Sequence, residues 1–146
     1  VDASKQSLAW AKDNQNLNNE LVNAPMRIIE DDVMKLLARE EKRGNKYDAV
    51  IMDPPKLGRG PKGETWKIEE MLLALLTQVK KVLSDDPLFV ILTSYSTDAS
   101  ALTLGYALEE TLKDLKGEIE TGELCVLEKS QNRLISLAHT AVWQKQ

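Results

Sequence analysis

The sequence predicts a single α/β domain with a doubly wound, largely parallel sheet that finishes in an antiparallel strand pair, and three observations carry this. Helical and extended patterns alternate nearly from end to end, without an internal repeat or a dividing linker. Residues 48–52 and 88–92 hold apolar runs with no polar alternation, as expected of parallel strands covered by helices on both faces. Residues 118–127 and 134–143, by contrast, alternate polar and apolar in the manner of antiparallel strands with one wet face. A chain of 146 residues, 42% hydrophobic, suits one ordinary core.

The elements follow in order. Ser4 caps a first helix carrying Leu8, Trp10, Ala11 and Leu17, which fades in the polar run 14–19 and stops before Pro25. A short strand is expected over 26–29. Asp32 caps a second helix with Val33, Leu36, Leu37 and Ala38 on its inner face, and Gly44 ends it. The strand 48–52 runs into Asp53-Pro54-Pro55, and a polar loop is expected over 57–67. The most regular helix comes next, with Ile68, Met71, Leu72, Leu75, Leu76, Val79, Val82 and Leu83 at helical spacing. Residues 84–87 turn the chain into the strand 88–92, which closes on the polar tip Thr93-Ser94-Tyr95-Ser96. A last helix over 99–115 turns Ala101, Leu104, Leu108, Leu112 and Leu115 inward and is stopped by Gly117.

Composition narrows the function. No apolar run approaches the roughly 20 residues of a membrane-spanning helix, and the first residues lack the layout of a secretion signal, so no membrane role is expected. One cysteine, Cys125, allows no internal disulfide and no cysteine-rich metal centre, which points to a reducing compartment such as the cytoplasm. A single histidine, His139, leaves one imidazole base and no His pair for a metal, and in mid-strand it reads as structural. The net charge of −4 argues against global electrostatic attachment to nucleic acid and leaves room for a local basic patch. Val1-Asp2 at the very start reads as the end of a strand whose beginning precedes the chain, so residues 1–146 are expected to be a fragment.

In a doubly wound sheet, ligands bind in the crevice at the carboxyl ends of the strands. Those ends supply Asp2, then Glu30-Asp31-Asp32, then Asp53-Pro54-Pro55-Lys56, then Thr93-Ser94-Tyr95-Ser96. A carboxylate at a strand end, such as Asp2, can accept from both hydroxyls of a ribose; equally it can start the helix that follows. Asp32 can accept from an exocyclic amine while the Val33 N–H faces a ring nitrogen, or it can be a plain helix cap. In Asp53-Pro54-Pro55 two prolines delete two backbone donors and fix φ, leaving the Asp53 carboxylate and the Pro54 carbonyl as an acceptor pair. Acceptors without donors suit a substrate –NH2 held with its lone pair toward an electrophile; the alternative is a rigid turn.

Asp2-Ala3-Ser4 with residues 10–14, Glu30-Asp31-Asp32-Val33 and the run 53–66 resemble the class I S-adenosylmethionine-dependent methyltransferases, in the branch related to large-subunit ribosomal RNA methyltransferases. The resemblance spans nearly the whole chain. It implies a Rossmann-like sheet with the last strand inserted antiparallel, Asp2 at the cofactor ribose, Asp32 and Val33 at its adenine, and Asp53, Pro54 and Pro55 at the methyl acceptor beside the sulfonium. In that family a first strand and a glycine-rich loop precede the position of Asp2, whereas this chain has no glycine before Gly44. Residues 1–146 are therefore expected to be the C-terminal part of one catalytic domain. The fragment should lack a central strand or borrow one from another chain, and bind cofactor weakly by itself.

The segment 56–67 sets Lys56, Arg59, Lys62 and Lys67 against Glu64, with Trp66 among them. Beside the acceptor site such a loop can contact RNA phosphates while Trp66 stacks on a base; it can also be a solvated, glycine-loosened loop. Tyr95 can stack on the acceptor base or pack under the loop. Methylation of a pyrimidine C5 ordinarily needs a cysteine thiolate near the third or fourth strand end; neither has one, and this favours transfer to nitrogen. Two further readings stay open: an RNA-binding module without catalysis, and a nicotinamide-dependent oxidoreductase, which would not need Asp53-Pro54-Pro55.

Overall fold

Among the described residues, capping side chains set three of the four helix starts. The computed structural model describes residues 1–20, 22–95 and 98–146. Helix α1 (Lys5–Leu17) begins where the Ser4 side chain accepts from the Ser7 N–H. Helix α2 (Val33–Arg43) begins where Asp32 accepts from the Lys35 N–H, and it ends at Gly44 in the left-handed conformation, φ 71°. Strand β1 (Ala49–Met52) follows, then two short strands, β2 (Leu57–Arg59) and β3 (Thr65–Lys67). Helix α3 (Ile68–Val82) has no side-chain cap; Glu69 and Glu70 in its first turn and Lys80 and Lys81 in its last suit the helix dipole instead. Strand β4 (Phe89–Ser94) precedes α4 (Ala101–Leu112), capped by Ser100, and the chain closes with β5 (Gly117–Glu128) and β6 (Arg133–Lys145).

The main sheet has the order β1-β4-β6-β5. Strands β1 and β4 run parallel with Val50 opposite Val90 and Met52 opposite Leu92, while β6 lies antiparallel between β4 and β5. The expected α/β sheet with an antiparallel finish is observed, but it is mixed and not largely parallel: among the described residues β1 with β4 is its one parallel pairing. Its core joins Leu76 of α3, Val90 and Leu92 of β4, Leu104, Leu108 and Leu112 of α4, and Ala141 and Trp143 of β6. A second cluster seals α2 against α3 through Leu37, Leu75, Val79 and Val82. The two layers hold β1 from one face, so the carboxyl end of β1 is a fixed point.

Several expectations fail for identifiable reasons. The apolar residues of α1 find no partner layer: Trp10 is 64% and Leu17 82% exposed, and Gln15 is the buried residue of that helix. Residues 26–29 form no strand. Instead, Asp2 and Glu30 make an isolated parallel bridge. On α2, Ala38 faces solvent and Glu40 takes the inner position, since 33, 36, 37 and 40 share one helical face. Ile51 is 71% exposed, so β1 is covered on one face rather than two among the described residues. The expected loop over 57–67 is a β-hairpin, with Gly58 opposite Trp66 and Gly63 at its tip at φ 88°. Gly117 starts β5 instead of capping α4. A Cβ there would lie 2.5 Å from the Trp143 indole and the Gln144 carbonyl, so close approach is what requires glycine. Thr93 and Ser94 belong to β4, Tyr95 follows it, and Ser96 lies outside the described residues. Among the described residues no helix is long and apolar enough to cross a membrane.

Candidate active site at the strand ends

The strand ends do converge. Asp2, Asp32 and Val33 line one cavity of about 680 Å³ together with Asp53, Pro54, Pro55 and Tyr95, and the β2–β3 hairpin adds Gly58, Arg59, Gly60 and Trp66. That size lies within the range of small-molecule sites. All four residues of β1 contribute to the wall, because β1 ends the sheet on this side and leaves its edge toward the cavity.

The corner after β1 has the expected character. Pro54 is buried and fixes the backbone, whereas Asp53 on one side and Pro55 on the other are exposed. The Asp53 carboxylate is exposed and makes no hydrogen bond or ion pair with another described residue. The other two carboxylates serve locally and retain capacity. One oxygen of Asp2 accepts from the Ser4 N–H at 2.7 Å, and one oxygen of Asp32 accepts from the Lys35 N–H at 2.9 Å. Asp2 thus bonds the cap residue Ser4 and Asp32 caps α2, and at each the second oxygen has no partner among the described residues. Asp31 pairs with Arg39, and that guanidinium holds its carboxyl below the usual range.

The basic segment is divided in its commitments. Lys56 is bonded to Asp98 at 3.0 Å, which raises its pKa. Lys67 pairs with Glu70 at 2.8 Å. Arg59 at the cavity wall and Lys62 at the hairpin tip make no ion pair within 4 Å with a described residue, although the Lys62 charge acts on Asp31 from a distance; Arg27 is a further cation of the cavity wall. Trp66 is half-buried. Its ring packs against the α2–α3 cluster and its indole N–H donates to the Pro55 carbonyl at 2.6 Å. Tyr95, 45% exposed, presents an aromatic face beside the corner.

Two residues that carry the site escaped sequence reading. Glu64 ties the hairpin to α2 through Lys35 and closes the tip by accepting from the Lys62 N–H at 2.9 Å. The Lys35 ammonium first, then the backbone donors, draw its pKa down to about 2. Glu40, 1% exposed at the cavity's inner wall, accepts from the Tyr47 hydroxyl at 2.6 Å, the Asn45 amide at 2.7 Å and Arg43 at 2.8 Å. These donors, the tyrosine hydroxyl foremost, hold it at about 2 as well. Helical spacing alone could have found Glu40; nothing local marks Glu64. Among the described residues no group of three acidic, His or Cys side chains is placed to hold a metal.

Comparison with known proteins agrees with this geometry. A SAM-dependent methyltransferase from Agrobacterium tumefaciens, solved by crystallography, superposes over 100% of this chain with a TM-score of 0.92 and 38% identity, and the match covers 48% of that chain. The protein SMU.776, solved in complex with SAH, superposes over 98% of this chain and 38% of its own with a TM-score of 0.69; at 18% identity that likeness is one of fold. Among curated proteins, the ribosomal RNA large subunit methyltransferase I of Enterobacter sp. (strain 638) is 43% identical over 56 residues, which is 38% of this chain and 14% of the relative. The protein of the same name from Salmonella arizonae is 45% identical over 56 residues, again 38% of this chain and 14% of the relative. No protein-family profile matches the chain. The resemblance seen in the sequence holds: this chain shares its fold throughout, and its sequence at the identities given, with S-adenosylmethionine-dependent methyltransferases.

Proposed function

From that likeness and the convergence of the strand ends, we propose that residues 1–146 are the C-terminal part of the catalytic domain of an S-adenosylmethionine-dependent methyltransferase that acts on RNA, ribosomal RNA in particular, at a base nitrogen. The carrying observation is that the Asp53-Pro54-Pro55 corner, whose exposed carboxylate has no partner among the described residues, lines the same cavity as Asp2, Asp32 and Val33.

The donor set fits the cofactor. The free oxygen of Asp2 suits a ribose hydroxyl, while Asp32 and the Val33 N–H suit the acceptor and donor edge of an adenine. When bound, S-adenosylmethionine supplies an electrophilic methyl group on sulfur. The chain's own task is placement. Asp53 and the Pro54 carbonyl accept the two N–H bonds of a substrate amine, which orients its lone pair, and rigidity at the corner keeps that orientation. Arg59 and Lys62 are the cations offered to phosphates, Lys56 joins them where Asp98 yields it, and Tyr95 and Trp66 wall the acceptor base. Nitrogen is favoured over a ring carbon because no cysteine stands at the strand ends; Cys125 sits in β5 opposite Ser136. With β1 at the sheet edge and no glycine before Gly44, the chain by itself should hold the cofactor weakly unless another strand joins it. A cytoplasmic setting follows from this substrate.

Calorimetry with S-adenosylmethionine on the full-length protein, followed by mass analysis of nucleosides from treated ribosomal RNA, tests the reading. Heat of binding and an N-methylated base are expected. RNA binding indifferent to the cofactor would replace the enzyme with a non-catalytic module, and a C5-methylated pyrimidine would refute the choice of nitrogen.

A further inference from the structure

We propose that Trp66 is a positioning residue for methyl transfer, acting through Pro55 to hold the acceptor corner; this rests on the methyltransferase reading above. The argument begins with the torsions left free in Asp53-Pro54-Pro55. The two pyrrolidine rings fix φ at 54 and 55, and Pro55 restricts ψ of Pro54. On one side of the corner Asp53 keeps its own φ and side-chain torsions; on the hairpin side the soft torsion that remains is ψ of Pro55, which decides how the corner joins the hairpin. It is held from both sides. The indole N–H of Trp66 donates to the Pro55 carbonyl at 2.6 Å, and the Ile68 N–H donates to the Lys56 carbonyl at 3.0 Å, with Ile68 itself in the core.

The hairpin is shaped to deliver that indole. Gly58 lies opposite Trp66 in the β2–β3 register, and a Cβ at Gly58 would stand 3.2 Å from the Pro55 ring and 3.6 Å from Trp66 Cβ. The missing side chain lets the strand lie against the proline. Behind it, Glu64 bonds to Lys35 one turn inside α2, the helix whose cap is Asp32. A single connected path thus runs from the adenine-side helix through the hairpin to the acceptor corner. An aromatic ring alone would fill the space; the N–H is the part that fixes the carbonyl.

The test is Trp66→Phe in the full-length protein, which keeps the ring and removes the donor. The expected result is a kcat lower by on the order of tenfold to a hundredfold, with S-adenosylmethionine affinity and the melting temperature nearly unchanged. KM for RNA should change far less than kcat, because the retained ring still walls the base. An unaltered kcat, or a fall matched by equal loss of cofactor affinity and folded protein, would overturn the role. Indole hydrogen exchange supplies a reading that needs no turnover. The Trp66 N–H should exchange far more slowly than that of exposed Trp10, and equal rates would also defeat the proposal. A wild-type protein that transfers no methyl group defeats the methyltransferase reading itself, and the exchange measurement then still decides whether Trp66 holds Pro55.

Discussion

At the scale of single residues, the positions that matter most are two carboxylates at opposite extremes, one without a partner among the described residues and one fully partnered. Asp53 has none among the described residues, and Glu40 has three donors around a nearly inaccessible carboxylate. The second arrangement has a pH signature. Glu40 is held at about 2 against an ordinary 4.5, so the ionised form is favoured by folding. Its contribution to stability is complete above pH 4.5 and is lost as pH falls from there through about 2. Urea unfolding of Glu40→Gln should therefore show lower stability at neutral pH and a shallower acid slope between those limits, with a residual slope left by Glu64, whose carboxyl is lowered to the same degree. An unchanged slope would mean that the Tyr47 and Asn45 donors do not hold the carboxylate. Capping residues were legible in the sequence because their cause is local: Ser4, Asp32 and Gly44 each act within a few positions. Glu40 was not, since a charged side chain at an inward position looks like surface until its partners are seen.

At the scale of elements, the hairpin β2–β3 is the unit that sequence reading missed and the site depends on. Three glycines and a string of lysines suggested a solvated loop. What makes it a hairpin is contact with parts far along the chain, Lys35 with Glu64 and the β1 corner with Trp66, and no window of local pattern holds that information. The long helix α3 and strands β1 and β4 were legible for the opposite reason: their apolar periods are strong and match the layer they build. With the hairpin ordered, Arg59 and Lys62, which make no ion pair within 4 Å with a described residue, become specific instruments. Replacing Arg59 and Lys62 together by Ala should weaken RNA binding across sequences and reduce the salt-dependence slope, log K against log salt, by about 1.4 if each meets one phosphate of a single strand. A slope identical to that of the wild type would take the hairpin tip off the RNA.

At the scale of the whole molecule, the net charge of −4 means that under the proposed function RNA would be met through one small patch beside the cavity at the β1 edge, not by overall charge. The fold class and the convergence of acidic strand ends were legible because the crevice rule of doubly wound sheets depends on topology alone. The outward face of α1 and the exposed side of Ile51 were not, because they depend on which layers lie against them. The account as a whole asks that the corner after β1 orient the methyl acceptor without holding the cofactor. The direct measurement is the rate of methyl transfer and the S-adenosylmethionine affinity of Asp53→Ala in the full-length protein. Transfer should fall by on the order of a hundredfold or more while cofactor affinity stays within about twofold, as the loss of an orienting contact requires. Turnover equal to that of the wild type would contradict the account.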